Sequence, residues 1–207
     1  MTEGHTGVNH PHLKFDLAKL ERLNDPGRFD TLRPDVMWEA LGCPTPEVIV
    51  EIGAGTGLFA ARFAELAPEA TVYAADIEPA MVEWMRNNRS EVAHGRIVPM
   101  LAEETRVPLR DATGDLVVMI NLHHELAEPD ATYAEAFRLL RPGGQLLLVD
   151  WRRAETPKGP PLSVRASASE LVSFLRRAGF ADVTCHGELE WHELVTAVKP
   201  EAMAAAR

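Results

Sequence analysis

Two acids, a histidine pair and three glycines are the residues whose types and spacing can do chemistry in this chain. Glu51 stands two residues before Gly53 in the run Val48-Ile49-Val50-Glu51-Ile52-Gly53-Ala54-Gly55-Thr56-Gly57. Glycines so placed permit a tight reversal and let backbone approach a ligand where any Cβ would clash. A carboxylate beside them would repel a pyrophosphate, yet it suits a ligand carrying an ammonium and a sulfonium. Asp76 lies 23 residues beyond Gly53, near the spacing at which an acid accepts from both ribose hydroxyls. Its other use would be as the N-cap of a following helix, and both roles are compatible. His124 and Glu125, in Asn121-Leu122-His123-His124-Glu125-Leu126, are candidates for a general base, since an unperturbed imidazole titrates near about pH 6.5. The competing use is structural, with one histidine packed beneath the loop and Glu125 capping or pairing locally.

The elements around these residues are those that could position them. Val48 to Ile52 has the near-continuous apolar character of a strand buried on both faces, and Leu58 to Leu66 continues as an Ala-rich helix. A helix that starts there would aim its first N–H groups at the loop's ligand. Further strands are expected at Thr71–Ala75, Arg96–Met100, Asp115–Ile120, Gln145–Asp150, Ala181–Cys185 and Glu193–Val198, the last antiparallel. Helices are expected over Pro79–Asn88, Asp130–Leu140 and from Ser167 to Arg177, with Trp151 to Val164 an irregular proline-rich loop. The alternation predicts an α/β fold, doubly wound and Rossmann-like, on a seven-stranded, mostly parallel sheet. In such sheets ligands gather beyond the carboxyl ends of the strands, where Glu51, Asp76 and the Asn121–Leu126 loop all fall.

Composition narrows the classes of function. With 207 residues, 46% hydrophobic and 25% charged, the chain can bury a full core in one domain with a short extension. A net charge of −10 argues against nucleic acid as a partner, because phosphate neutralisation needs clustered Lys and Arg. Cys43 and Cys185 form neither a C-x-x-C pair nor a zinc pattern, so no metal is expected and reduced thiols are the plain reading. His5, His10 and His12 lack a supporting carboxylate or cysteine framework and read as part of a polar lead-in. Neither a signal peptide nor a membrane span is apparent, so no membrane partner and a cytoplasmic location are expected, as monomer or homodimer. Residues 1–45 read as a helical extension or lid, with helices near Asp16–Leu23 and from Pro34 to about Leu41, and residues 46–200 as the ligand-binding domain.

The glycine spacing is G-x-G-x-G, not the G-x-G-x-x-G of the dinucleotide fingerprint. The run VIVEIGAGTG resembles the first motif of the class I S-adenosylmethionine-dependent methyltransferases. The later series of strand, HHEL, helix, RLLRPGG and strand resembles the broad group that includes the ubiquinone/menaquinone C-methyltransferases. The resemblance covers roughly residues 46 to 198 and is specific for fold and cofactor, but weak for substrate. It implies S-adenosyl-L-methionine held by Glu51, Gly53, Ala54, Gly55, Gly57, Asp76, Ile77, Asn121 and Leu122. It also places an acid for the adenine amino group at Glu103, aligned on Pro108, with Glu104 a near alternative. The implied activity is in-line methyl transfer to a small-molecule acceptor, with His124 and Glu125 at the transfer site. A noncatalytic S-adenosylmethionine-binding regulatory protein and a nicotinamide-dependent oxidoreductase are the alternatives, the latter disfavoured by Glu51 and the spacing. Asn121-Leu122-His123-His124 does not match the Asn/Asp-Pro-Pro-aromatic tetrapeptide of base N-methylation, and two scattered cysteines fit arsenite methylation poorly.

Overall fold

A computed structural model describes residues 17–201. The histidines at 5, 10 and 12 and Asp16, the expected start of the first helix, lie outside the described residues. Seven strands form one sheet in the order β3-β2-β1-β4-β5-β7-β6, with β1 Val48–Ile52, β2 Thr71–Asp76, β3 Ile97–Leu101, β4 Gly114–Ile120, β5 Leu140–Trp151, β6 Ala181–His186 and β7 His192–Val198. The five strands β3 to β5 pair in parallel. Both pairings of β7, with β5 and with β6, are antiparallel. The chain therefore has the doubly wound α/β architecture that the alternation predicts.

Both faces of the sheet are covered, which is why β1 reads as apolar on both parities. Ile49 faces one core with Leu116, Val118, Leu147 and Val149. Helices α3 Pro34–Ala40, α4 Leu58–Leu66 and α5 Pro79–Asn88 close that side, with Met37, Phe63 and Met85 fully buried. Val50 faces the other core with Val117, Met119, Leu146 and Leu148, beneath α7 Pro129–Leu139 and α8 Ala168–Arg177. Helix α8 starts as its sequence suggests: the Ser167 hydroxyl and the Glu170 side chain form a reciprocal capping box.

Several boundaries move. The fifth strand, expected over 145–150, runs from Leu140, because Leu140 pairs with Gly114, Gly143 N–H donates to the Lys199 carbonyl just past β7, and Lys199 N–H donates to the Gly144 carbonyl. A short helix α6, Ser90–Ala93, precedes β3. The leading segment is more structured than two helices. After α1 Leu17–Leu23, a 3-10 turn over Pro26–Arg28, capped by Asp25, leads into α2 Phe29–Leu32. Proline at 26 and glycine at 27 end α1, and Pro34 at the first turn opens α3. Among the described residues no helix is long and apolar enough to cross a membrane. Cys43 and Cys185 are exposed free thiols.

Register carries the fold to its site. Glu51 on β1 pairs with Val118 on β4, and Ile120 on β4 with Val149 on β5. The carboxyl ends of β1, β4 and β5 therefore come level, and the loop that begins at Asn121 lies against Asp150.

Candidate active site

The glycine loop reverses through three left-handed glycines, with φ of 75° at Gly53, 55° at Gly55 and 68° at Gly57. Crowding gives two of them a second constraint. A Cβ at Gly53 would lie 2.7 Å from Leu122 Cδ1, and one at Gly57 would lie 2.8 Å from Met85 Sδ. Gly55 is less crowded, its nearest neighbour being Leu23 Cδ1 at 3.7 Å.

Where the loop's amides point is the informative feature. Gly53 and Ala54 both donate to the Ala75 carbonyl at 2.9 Å, and Gly57 donates to the Ala54 carbonyl at 2.8 Å. Gly55 N–H donates to Asp76 Oδ2 at 2.6 Å, while Glu78 N–H donates to Oδ1 at 2.9 Å. Four amides of the loop are thus spent within the protein. A loop that cradles pyrophosphate needs such donors free. Asp76 consequently orders the loop and starts α5 in addition to lying at the β2 end.

Glu51 is buried, at 2% exposure, and its Oε2 has no hydrogen-bond partner. Burial pushes its carboxyl up to about 8, opposed by the nearby Arg28 cation and reinforced by Asp76. Thr56 Oγ1 and Asn121 Oδ1 are likewise buried without partners. Asn121 holds a left-handed φ of 53° although it is not glycine, a strained conformation of the kind that collects at functional sites. Ile77 is 54% exposed beside Asp76, an open apolar side chain at the β2 end. Ala102 N–H donates to the Asp76 carbonyl, which brings the β3 end alongside. Glu103 and Glu104 are both exposed there, and the backbone of Glu103 bridges to Arg106.

The two histidines part company. His123 is buried, 2.8 Å from the Tyr133 hydroxyl and packed against the Tyr133 and Phe174 rings. Burial holds it below the usual imidazole range. It is the histidine beneath the loop. His124 instead places Nδ1 2.9 Å from Asp150 Oδ1 and 3.2 Å from Oδ2, with its Nε2 3.8 Å from Glu125 Oε1. Asp150 is fully buried at the end of β5, and its Oδ1 also accepts from Trp151 N–H. Sequence reasoning passed over Asp150. Its position at a strand's carboxyl end, like that of Asp76, was the available signal. A third histidine, His192, is wholly buried against Trp151 with neither ring nitrogen paired, and burial pushes it down to about 4.

The leading segment lies over one side of this site. Leu23 touches the space beside Gly55, and Arg28 donates to the Leu23 carbonyl while lying 5.0 Å above the Phe59 ring. Arg89 donates to the Thr56 carbonyl and to Asn24 Oδ1, tying α5 and the glycine loop to that segment. Phe29 packs edge-on against Phe59, and Trp38 lies on Phe63 in the core. A cavity of about 180 Å³ opens from His123 toward Arg153, Val164 and Phe174. A larger one, about 300 Å³, lies between Phe29, Pro34 and Arg62, away from the chemistry.

The comparisons with known proteins follow this geometry. Residues 50–148 match the family described as "Methyltransferase domain". A malonyl-[acyl-carrier protein] O-methyltransferase of Hahella chejuensis is 36% identical over 106 residues, 51% of this chain and 36% of that protein. A ubiquinone/menaquinone biosynthesis C-methyltransferase of Dinoroseobacter shibae is 26% identical over 144 residues, 68% of this chain and 57% of that protein. The chain therefore spans less than two thirds of the length of these curated relatives. The crystal structure of an S-adenosylmethionine-dependent methyltransferase from Aquifex aeolicus superimposes with a TM-score of 0.82 at 27% identity, covering 90% of this chain and 100% of that one. The loop geometry, the strand order and these matches agree, and over residues 50–148 the chain is similar to the class I S-adenosylmethionine-dependent methyltransferases.

Proposed function

We propose that this protein binds S-adenosyl-L-methionine and transfers its methyl group in line to a small-molecule acceptor. The observation that carries the reading is the pairing of a glycine loop whose amides are spent internally with a buried Glu51 carboxyl whose Oε2 is left without a hydrogen-bond partner. That chemistry suits an ammonium, which supplies donors and positive charge, and it does not suit a pyrophosphate, which needs donors. Glu51, Gly53, Ala54, Gly55 and Gly57 would hold the amino-acid end, with Asn121 and Leu122 closing it from β4. Asp76 would accept from the ribose hydroxyls. Ile77 would lie on the adenine and Glu103 would reach its amino group.

When bound, the cofactor supplies a methyl group made electrophilic by its sulfonium. The chain's own contribution is to orient the acceptor, exclude water and hold a proton. His124 would take that proton, a role supported by its geometry, since Asp150 occupies only its Nδ1. Glu125, 61% exposed on its side chain, stands beside Nε2 as the second candidate. The relatives' names span O- and C-methylation, so the acceptor is argued from the site. Leu23, Asn24 and Arg28 support a lid role for the leading segment, although Trp38 is placed as core packing.

Calorimetry tests the reading directly. S-adenosylmethionine and S-adenosylhomocysteine should bind, and NAD should not. Binding of NAD alone would overturn the assignment.

A further inference from the structure

Asp150 has no part in the family motifs from which the site was read, yet its placement decides what His124 can do. A carboxylate only accepts hydrogen bonds. An imidazole nitrogen 2.9 Å from Asp150 Oδ1 and 3.2 Å from Oδ2 must therefore carry a hydrogen. In the neutral ring the other nitrogen, Nε2, then holds the lone pair. The carboxylate is itself fixed: it is buried, its Oδ1 is bonded by Trp151 N–H at 2.8 Å, and it stands one residue before the end of strand β5. His124 is 12% exposed on its side chain, so its ring is confined while its edge is reachable. His123, one residue earlier, has its Nδ1 engaged by Tyr133 and is buried beneath the turn, where burial disfavours its charged form, so it does not compete for this role.

We infer that Asp150 is a positioning residue that fixes His124 as the Nδ1–H tautomer, presents Nε2 as a general base, and thereby commits the site to an acceptor that must lose a proton, such as a weakly acidic hydroxyl, rather than to a carboxylate. The inference rests on the methyltransferase reading above. The acceptor's proton passes to Nε2, the electron pair it leaves forms the new bond to the methyl carbon, and the pair of the broken C–S bond stays on sulfur. His124 becomes an imidazolium, stabilised by Asp150, and returns the proton to water. A carboxylate acceptor brings no proton to remove. It would also meet like charge, since Asp150 and Glu125 flank His124. The two arginines lining the adjoining cavity do not offset this. Arg153 is held by Glu170 at 2.9 Å and by the Arg165 carbonyl. Arg165 spends its donors on the Pro160, Arg152 and Ala154 carbonyls and on Thr156 Oγ1.

Histidine nitrogen NMR on the full chain with S-adenosylhomocysteine reads the tautomer without any turnover. Wild-type His124 should show Nδ1–H as the dominant neutral form. Asp150→Ala should reduce it to a minority, and Asp150→Asn, which keeps an acceptor oxygen, should restore it in part. A visible phenol probe, 4-nitrophenol, reads the base: at a pH where the free probe is mostly protonated, the wild-type complex should raise its phenolate absorbance severalfold. His124→Ala and Asp150→Ala should abolish that rise, and excess benzoate should fail to compete. An Nε2–H tautomer in the wild type, an absent phenolate signal, or full competition by benzoate overturns the inference. Calorimetry with S-adenosylhomocysteine on the same samples separates the two failures. Intact binding with the wrong tautomer sinks only the role of Asp150, whereas absent binding in the wild type sinks the methyltransferase reading itself.

Discussion

Replacing Glu51 by glutamine should make the unliganded protein more stable, and increasingly so as pH rises. Burial raises the carboxyl from its ordinary 4.5 to about 8 in the folded chain. A group whose folded pKa is raised contributes stability that is full below the unfolded value and is lost as pH climbs to the folded value. Below about pH 4.5 both states hold the proton and Glu51 costs nothing. Each further unit of pH then costs about 1.4 kcal/mol, so by pH 7 the accumulated penalty is about 3 kcal/mol. Glutamine keeps the shape, carries no charge and escapes that penalty. Urea unfolding of wild type and Glu51→Gln at intervals from pH 5 to 8 measures it: the midpoints should diverge with pH and level off near 8. The same variant should lose affinity for S-adenosylmethionine, because the partner for the ammonium is gone. A stability difference that stays flat across this range would refute the account of Glu51 as a strained, cation-seeking carboxyl.

The remaining predictions concern the loop and its cover. Asp76→Asn leaves one carbonyl oxygen for the Gly55 and Glu78 amides and should weaken S-adenosylmethionine binding by about tenfold or more, with unchanged circular dichroism; wild-type affinity by calorimetry would remove Asp76 from the site. If the leading segment is a lid, S-adenosylhomocysteine should slow hydrogen exchange over residues 20–33 as well as in the glycine loop, and Arg89→Ala should weaken that coupling. Protection confined to the loop and Asp76 would reduce these helices to a cover for α4.

How much of this was legible follows from which forces act locally. The strands and helices of the sheet were readable because their burial is written as period and apolar run: Val48–Ile52 is the expected first strand, and α5 and the Ser167 cap fall where the sequence places them. The five-residue extension of β5 at its start was not readable, because it depends on pairing with Gly114 and Lys199, far away in sequence. The direction of the loop amides was not readable either. Glycine content reports that backbone can turn, and says nothing of which carbonyl its N–H groups will find. The leading segment shows the same limit. Its aromatic residues Phe29 and Trp38 both pack on α4, against Phe59 and Phe63, and Leu23 and Arg28 lie nearest the loop.

The histidine pair shows why adjacent identical residues acquire opposite roles. His123 and His124 sit in one 3-10 turn, so their side chains leave the backbone in different directions. One direction leads under the turn, toward α7 and α8, where Tyr133 and Phe174 form an apolar box with a single hydroxyl. An imidazole there gains packing and one bond, and loses its ability to take up charge, since burial disfavours the cation. The other direction leads across the sheet to β5, whose end register with β4 sets Asp150 at hydrogen-bond distance. An imidazole there meets a fixed acceptor, which orients the ring and leaves its Nε2 edge available. The strand register, rather than the histidine dipeptide, therefore selects which ring is suited to proton transfer. A one-residue shift between β4 and β5 would carry Asp150 to the other face of the sheet and leave both histidines as packing.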